Sequence, residues 1–187
     1  MEVTKIKSAE DQLNTAIDLY FKGGDEVSIH TLACAANEIL DTLCKNQNLG
    51  RSAIHDGLNE IKADQKKKVL DKMNEAKNFF KHAGRDFGET ITWDPGLSEY
   101  VMWDAASLYR KITKGKMTCK ILIFSTIFRI RHAELWSEKS AIDDLIPKTK
   151  IELIDGDLEL IYKQALKQCN DGKFGTANLL DILNNEK

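Results

Sequence analysis

The chain has 187 residues, 42% of them hydrophobic, and a formal net charge of −2. That length and apolar content suit one domain, or one domain with a small appendage, with a true core, and exclude wholesale disorder. No apolar run reaches the roughly 18 residues that span a bilayer, and Met1-Glu2-Val3-Thr4-Lys5 lacks the basic-then-apolar pattern of a secretion signal, so a cytoplasmic protein with no membrane association is expected.

With two prolines, Pro95 and Pro147, and a recurrent helical period, the sequence predicts an all-α fold. The expected form is a helical bundle of at least five substantial helices in one domain over 1–187. A first helix over Lys5–Phe21 carries the apolar stripe Leu13, Ala16, Ile17 and Tyr20, and Gly23-Gly24 ends it. Asp25 caps a second over Glu26–Lys45, with Ile29, Leu32, Ala33, Ala36, Ile39, Leu40 and Leu43 on a broad apolar face. The short connection makes this pair an antiparallel helical hairpin. A short helix over Ser52–Ile61 and a stronger one over Gln65–Ala83 follow; Val69, Met73, Ala76, Phe80 and Ala83 are its core stripe. Residues 85–96 read as a loop, Leu97–Ile112 as a helix, and Lys114-Gly115-Lys116 as a turn. Ile121 to Phe128 is β-branched enough to suit a strand; the absence of a partner strand and the basic tail Arg129 to Trp136 favour a buried helix. Shorter helices are expected over Ser140–Leu145, Leu158–Cys169 and Thr176–Leu183.

Cys34, Cys44, Cys119 and Cys169 form no CxxC pair and read as small buried thiols rather than a disulfide framework. Charge is uneven: cations outnumber carboxylates from Lys62 to Arg85, and none of the latter occurs from Arg110 to Arg131. Such a middle attracts polyanions or forms a solvated helix surface. No phosphate loop, GxSxG, HExxH or paired-cysteine zinc pattern is present, and no histidine has an acidic residue three positions before it, which argues against a di-iron site. Asp155-Gly156-Asp157 lacks the rest of a calcium loop. Neither a metal nor a cofactor is expected. His55 and His132 read as structural or surface groups.

Two constellations remain. His30, Cys34, Asn37 and Asp41, with Glu38 beside them, form a polar stripe on the second helix. It reads as a second polar site around His30 and Glu38 or as that helix's solvent face. On the helix before Gly84, Asn78 and His82 lie one turn apart on the face opposite Ala76 and Phe80, among Lys77, Lys81 and Arg85. A histidine among cations and beside an amide can bind phosphate and move a proton; the plainer reading is a polar helix end.

Lys77-Asn78-x-x-x-His82 resembles the signature of the higher-eukaryote and prokaryote nucleotide-binding (HEPN) superfamily. That pattern is an Arg, then usually a polar residue, then His after four to six intervening residues. Asn78, His82 and the spacing match, while Lys77 stands where Arg is expected; a lysine keeps the charge and loses the bidentate fork. The Ala-rich second helix, Leu32 to Leu40, is also similar to that family's opening hairpin, so the resemblance covers about 1–86 and leaves 97–187 as additional helices. Asn78 to Asp86 is also similar to a set of uncharacterised bacterial helical proteins. The resemblance implies a homodimer that binds RNA or nucleotides. It further implies the activity of many members, metal-independent RNA cleavage in bacterial toxin or defence systems, with an antitoxin as partner. It assigns His82 as acid/base, Asn78 as its orienter, and Lys77, Lys81 and Arg85 as phosphate-binding groups. The alternative is a non-catalytic interaction module for a partner protein or small ligand.

Overall fold

The structure is a computed structural model that describes residues 1–52, 71, 74–82, 84, 88–132 and 157–175. The chain divides into two compact units, Met1–Tyr20 with Gly24–Lys116, and Phe21–Gly23 with Met117–Lys187. The regular secondary structure among the described residues is helical, with no strand among them.

In the first unit, α1 (Lys5–Phe21) starts where the Lys7 amide donates to Thr4 Oγ1 at 3.2 Å. It buries Ala9, Leu13, Ala16 and Ile17, which recur at helical spacing and are fully enclosed. Gly23, at φ +61°, supplies the left-handed residue that ends α1. Asp25 then caps α2 (Glu26–Asn46), its carboxylate accepting from the Ser28 amide at 2.7 Å. The two helices form the opening hairpin. Residues 74–81 are helical and are labelled α3. Asp94 Oδ1 accepts from the Gly96 amide at 2.9 Å, turning the chain into α4 (Leu97–Ile112). α4 ends at Lys114 and Gly115, both at positive φ, as the turn expected there.

α2 and α4 pack together, and their pairing is parallel. His30 meets Ser98, Asn37 meets Asp104, and the Cys44 thiol donates to the Leu108 carbonyl, so positions advance together along both helices. α1 runs the other way beside α4, since Tyr109, late in α4, donates its hydroxyl to Glu10, early in α1. Burial and then the bond to Glu10 push the Tyr109 phenol up to about 12, so it stays protonated.

In the second unit, Thr118 caps α5 (Cys119–Arg131) by accepting from the Ile121 amide. The β-branched stretch is a helix. Ser125 and Thr126 donate back to the Ile121 and Leu122 carbonyls at 2.7 and 2.8 Å, which satisfies their hydroxyls inside an apolar element. Ile121, Ile123, Phe124, Ile127, Phe128 and Ile130 are buried on nearly all sides, as expected of a helix without a polar face. α6 (Leu158–Asn170), capped by Asp157, packs on α5 through Ile161, Tyr162 and Ala165. Tyr162 stacks on Phe21 with ring centroids 4.3 Å apart, and Phe21 meets Phe124 edge-on.

The cysteines divide. Cys34 and Cys44 are buried thiols, as expected, but Cys119 and Cys169 form a disulfide with Cα atoms 5.8 Å apart. The expectation of four thiols fails there because the packing of α5 on α6 juxtaposes the first residue of one with the last turn of the other. That is a tertiary proximity no local spacing encodes. The expected helices over Ser52–Ile61, Ser140–Leu145 and Thr176–Leu183 fall wholly or almost wholly outside the described residues, as does the first part of Gln65–Ala83. No helix among the described residues is long and apolar enough to cross a membrane.

Candidate functional site

The site is built on three elements of the first unit. α2 supplies Glu38, α3 supplies Lys77, Asn78, Lys81 and His82, and the packing of α2 on α4 supplies a polar seam beneath. On α3, Ala76 is buried and Phe80 half-buried, while Asn78 and His82 are exposed. The helical period therefore puts the amide and the imidazole on the outward face, as the sequence pattern requires. The His82 amide donates to the Asn78 carbonyl at 3.0 Å, so the helix continues through the turn that holds both.

The lysines are not free. Lys77 Nζ lies 2.8 Å from Glu38 Oε1, and Lys81 Nζ lies 3.3 Å from Glu38 Oε2. One carboxylate on α2 thus grips two cations spaced one turn apart on α3. The lysine side chains are about a quarter exposed or less, at 20% and 26%. Partial burial pushes the Glu38 carboxyl up, but the bonds and charges of Lys77 and Lys81 together outweigh it and hold it below the usual range. The cluster keeps one net positive charge. Arg85 lies outside the described residues, as does His55.

Unlike the exposed Glu38, His30 is enclosed. It is 1% exposed, with Nδ1 3.1 Å from Ser98 Oγ and Nε2 3.4 Å from Cys34 Sγ. Phe80 and Trp93 meet its ring edge-on, with centroids 5.9 and 4.9 Å away. Burial first, and then the positive charges of Lys77 and Lys81, lower its pKa to about 4, so it is neutral at pH 7. Burial pushes the Cys34 thiol up to about 11 against the same lysine charges, which leaves it protonated and unreactive. The solvent-face reading of the stripe fails at His30, Cys34 and Asn37, which are buried or half-buried. Asn37 Nδ2 donates to Asp104 Oδ2 at 2.8 Å, and Asp104 is 1% exposed, so α4 supplies a polar partner to Asn37 as it does to His30, while Glu38 is exposed and Asp41 pairs with Arg51.

Ser98, Asp104 and Trp93 are the contributors that pattern reading did not single out. The available signal was Asp104 itself. It is a carboxylate within the stripe Tyr100, Val101, Asp104, Ala105 and Leu108, a core position that has to be paired when buried.

His132 ends α5, half-buried, its ring 4.4 Å from that of Phe128. No group of three or more histidine, cysteine or acidic side chains able to hold a metal ion occurs among the described residues. No known protein family, curated protein or solved structure matches the chain.

Proposed function

We propose that the chain binds RNA or nucleotides through the exposed end of α3, as a HEPN-like cytoplasmic protein. The observation that carries this reading is the pairing of Asn78 and His82 on one outward turn beside the Lys77–Glu38–Lys81 cluster, which keeps net positive charge. Phosphate binding displaces Glu38 from the lysines, so the carboxylate acts as an internal competitor for the anion. In the cleaving form of this reading, His82 moves the proton of an attacking ribose hydroxyl and Asn78 orients it. A second copy related by a twofold axis near Asn78 and His82 completes a composite basic cleft.

The grip of Glu38 on both lysines also supports the other reading, a non-catalytic interaction module whose lysines are structural. Titration of a short single-stranded RNA over a range of salt separates the two. Phosphate contacts give affinity that falls with salt, and Lys77→Ala or Lys81→Ala each lowers the slope by about 1. Glu38→Gln tightens RNA binding on the first reading. Salt-independent or undetectable RNA binding favours the interaction module. Incubation of RNA with the wild type and His82→Ala, without metal, tests cleavage. Light scattering at about twice the chain mass, weakened by Asn78→Arg, is the expected sign of the dimer.

A further inference from the structure

The Cys119–Cys169 bond joins two sulfurs at opposite kinds of helix end, one at a start and one in a last turn. Cys119 is the first residue of α5, where free backbone amides and the positive end of the helix favour a thiolate. The first turn of α5 holds no acidic residue, Lys120 follows directly, and no carboxylate occurs from Arg110 to Arg131. Cys169 lies in the last turn of α6, where the carbonyl end disfavours negative charge. Its carbonyl accepts from the Asp171 and Gly172 amides that close the helix. The charges around it are mixed, Lys167 and Lys173 against Asp171. Neither cysteine is fully buried, in contrast to the enclosed Cys34 and Cys44.

Thiol–disulfide exchange runs fastest when the departing sulfur is the better thiolate. We propose that Cys169 is a site of reversible S-thiolation by a low-molecular-weight thiol, with Cys119 as the leaving and resolving thiolate. An external thiolate attacks Cys169 Sγ. A new S–S bond forms there, the Cys119–Cys169 bond breaks, and its electron pair leaves on Cys119 Sγ. The Cys119 thiolate then attacks Cys169 Sγ and expels the small thiolate, which restores the original bond. Alternatively, a second external thiolate takes the first as a free disulfide and leaves both cysteines reduced. The two electrons come from the external thiols, so the balance needs no other reductant. This inference concerns the second unit and is independent of the nucleic-acid reading.

The test uses the full chain with millimolar reduced glutathione, quenched by an alkylating reagent and mapped by peptide mass spectrometry. The expected mixed-disulfide species carries glutathione on Cys169 and the alkyl group on Cys119, with Cys34 and Cys44 unmodified while the chain is folded. Cys169→Ser and Cys119→Ser, each leaving one partner free, supply the second measurement. The pH–rate profile of alkylation should titrate at lower pH for Cys119 than for Cys169. Glutathione found mainly on Cys119 or shared equally, a bond that millimolar thiol leaves closed, or a reversed order of titration overturns the proposal.

Discussion

The two units solve the same problem, holding helices together, by different chemistry. In the first, α2 and α4 meet across buried polar groups: His30 with Ser98 and Cys34, Asn37 with Asp104. In the second, α5 and α6 pack through buried apolar side chains, Phe21 lies against Tyr162 and Phe124, and a covalent bond links the two helices. A polar seam demands register, because each buried donor and acceptor needs a matched partner within reach. An apolar interface tolerates sliding, and a covalent bond removes that freedom. The contrast implies that the first unit answers to protons and the second to thiols.

Removing the bond is the largest expected effect. The two cysteines are 50 residues apart, and chain-entropy reasoning gives a loss of about 4 kcal/mol when such a loop is released. Replacing both Cys119 and Cys169 with serine should lower the denaturant midpoint of the second unit by a corresponding amount, read from its amide exchange, while the first unit keeps its protection. Equal losses in both units would erase the contrast.

Acid should act on the other side. His30 is neutral when folded, with a pKa of about 4 against the ordinary 6.5, so the unfolded chain binds its proton first as pH falls. The stabilisation is complete above about pH 6.5. It declines through the window from 6.5 to 4 at about 1.4 kcal/mol per pH unit, roughly 3 kcal/mol in all. Urea unfolding of the first unit at a series of pH values measures this, and His30→Gln should flatten the profile in that window. The register of the seam is tested next. Asn37→Ala removes a donor from the buried Asp104 and should cost about 1–3 kcal/mol, visible as a lower midpoint of the first unit alone. The smallest change is expected at His82→Ala. It removes an exposed group and should leave stability within about 0.5 kcal/mol, even where it abolishes RNA cleavage; a large loss would mark His82 as structural.

Much of the fold was legible because helix signals are local. Asp25 as a cap, Gly23-Gly24 as a stop and the spacing of Leu13, Ala16 and Ile17 place α1 and α2 to within a residue, although Tyr20 of the expected stripe is only half-buried and Ala9, outside it, is enclosed. The β-branched Ile121 to Phe128 was legible as a helix only through its length and the lack of a partner strand. Its serine and threonine bond inward to their own helix, a compensation invisible in composition. On α3, the exposed placement of Asn78 and His82 followed from the periodicity around Ala76 and Phe80. What the sequence withheld was pairing across distance. Nothing near Lys77 announces that Glu38 will hold it, nothing near His30 points to Ser98, and no spacing connects Cys119 to Cys169. These partners meet only after helices dock, and two of the three pairings change the chemistry of the residues involved.

Phe21 closes α1 in sequence, yet its ring stacks on Tyr162. During synthesis this aromatic leaves the ribosome well before its partner. The core of the second unit therefore stays incomplete through that interval, although folding ordinarily proceeds from the N-terminus as each domain appears. A nascent or prematurely terminated chain carries Phe21 without its stacking partner at the end of an otherwise finished helix. A chain stalled before residue 162 leaves that ring without the surface on which it stacks.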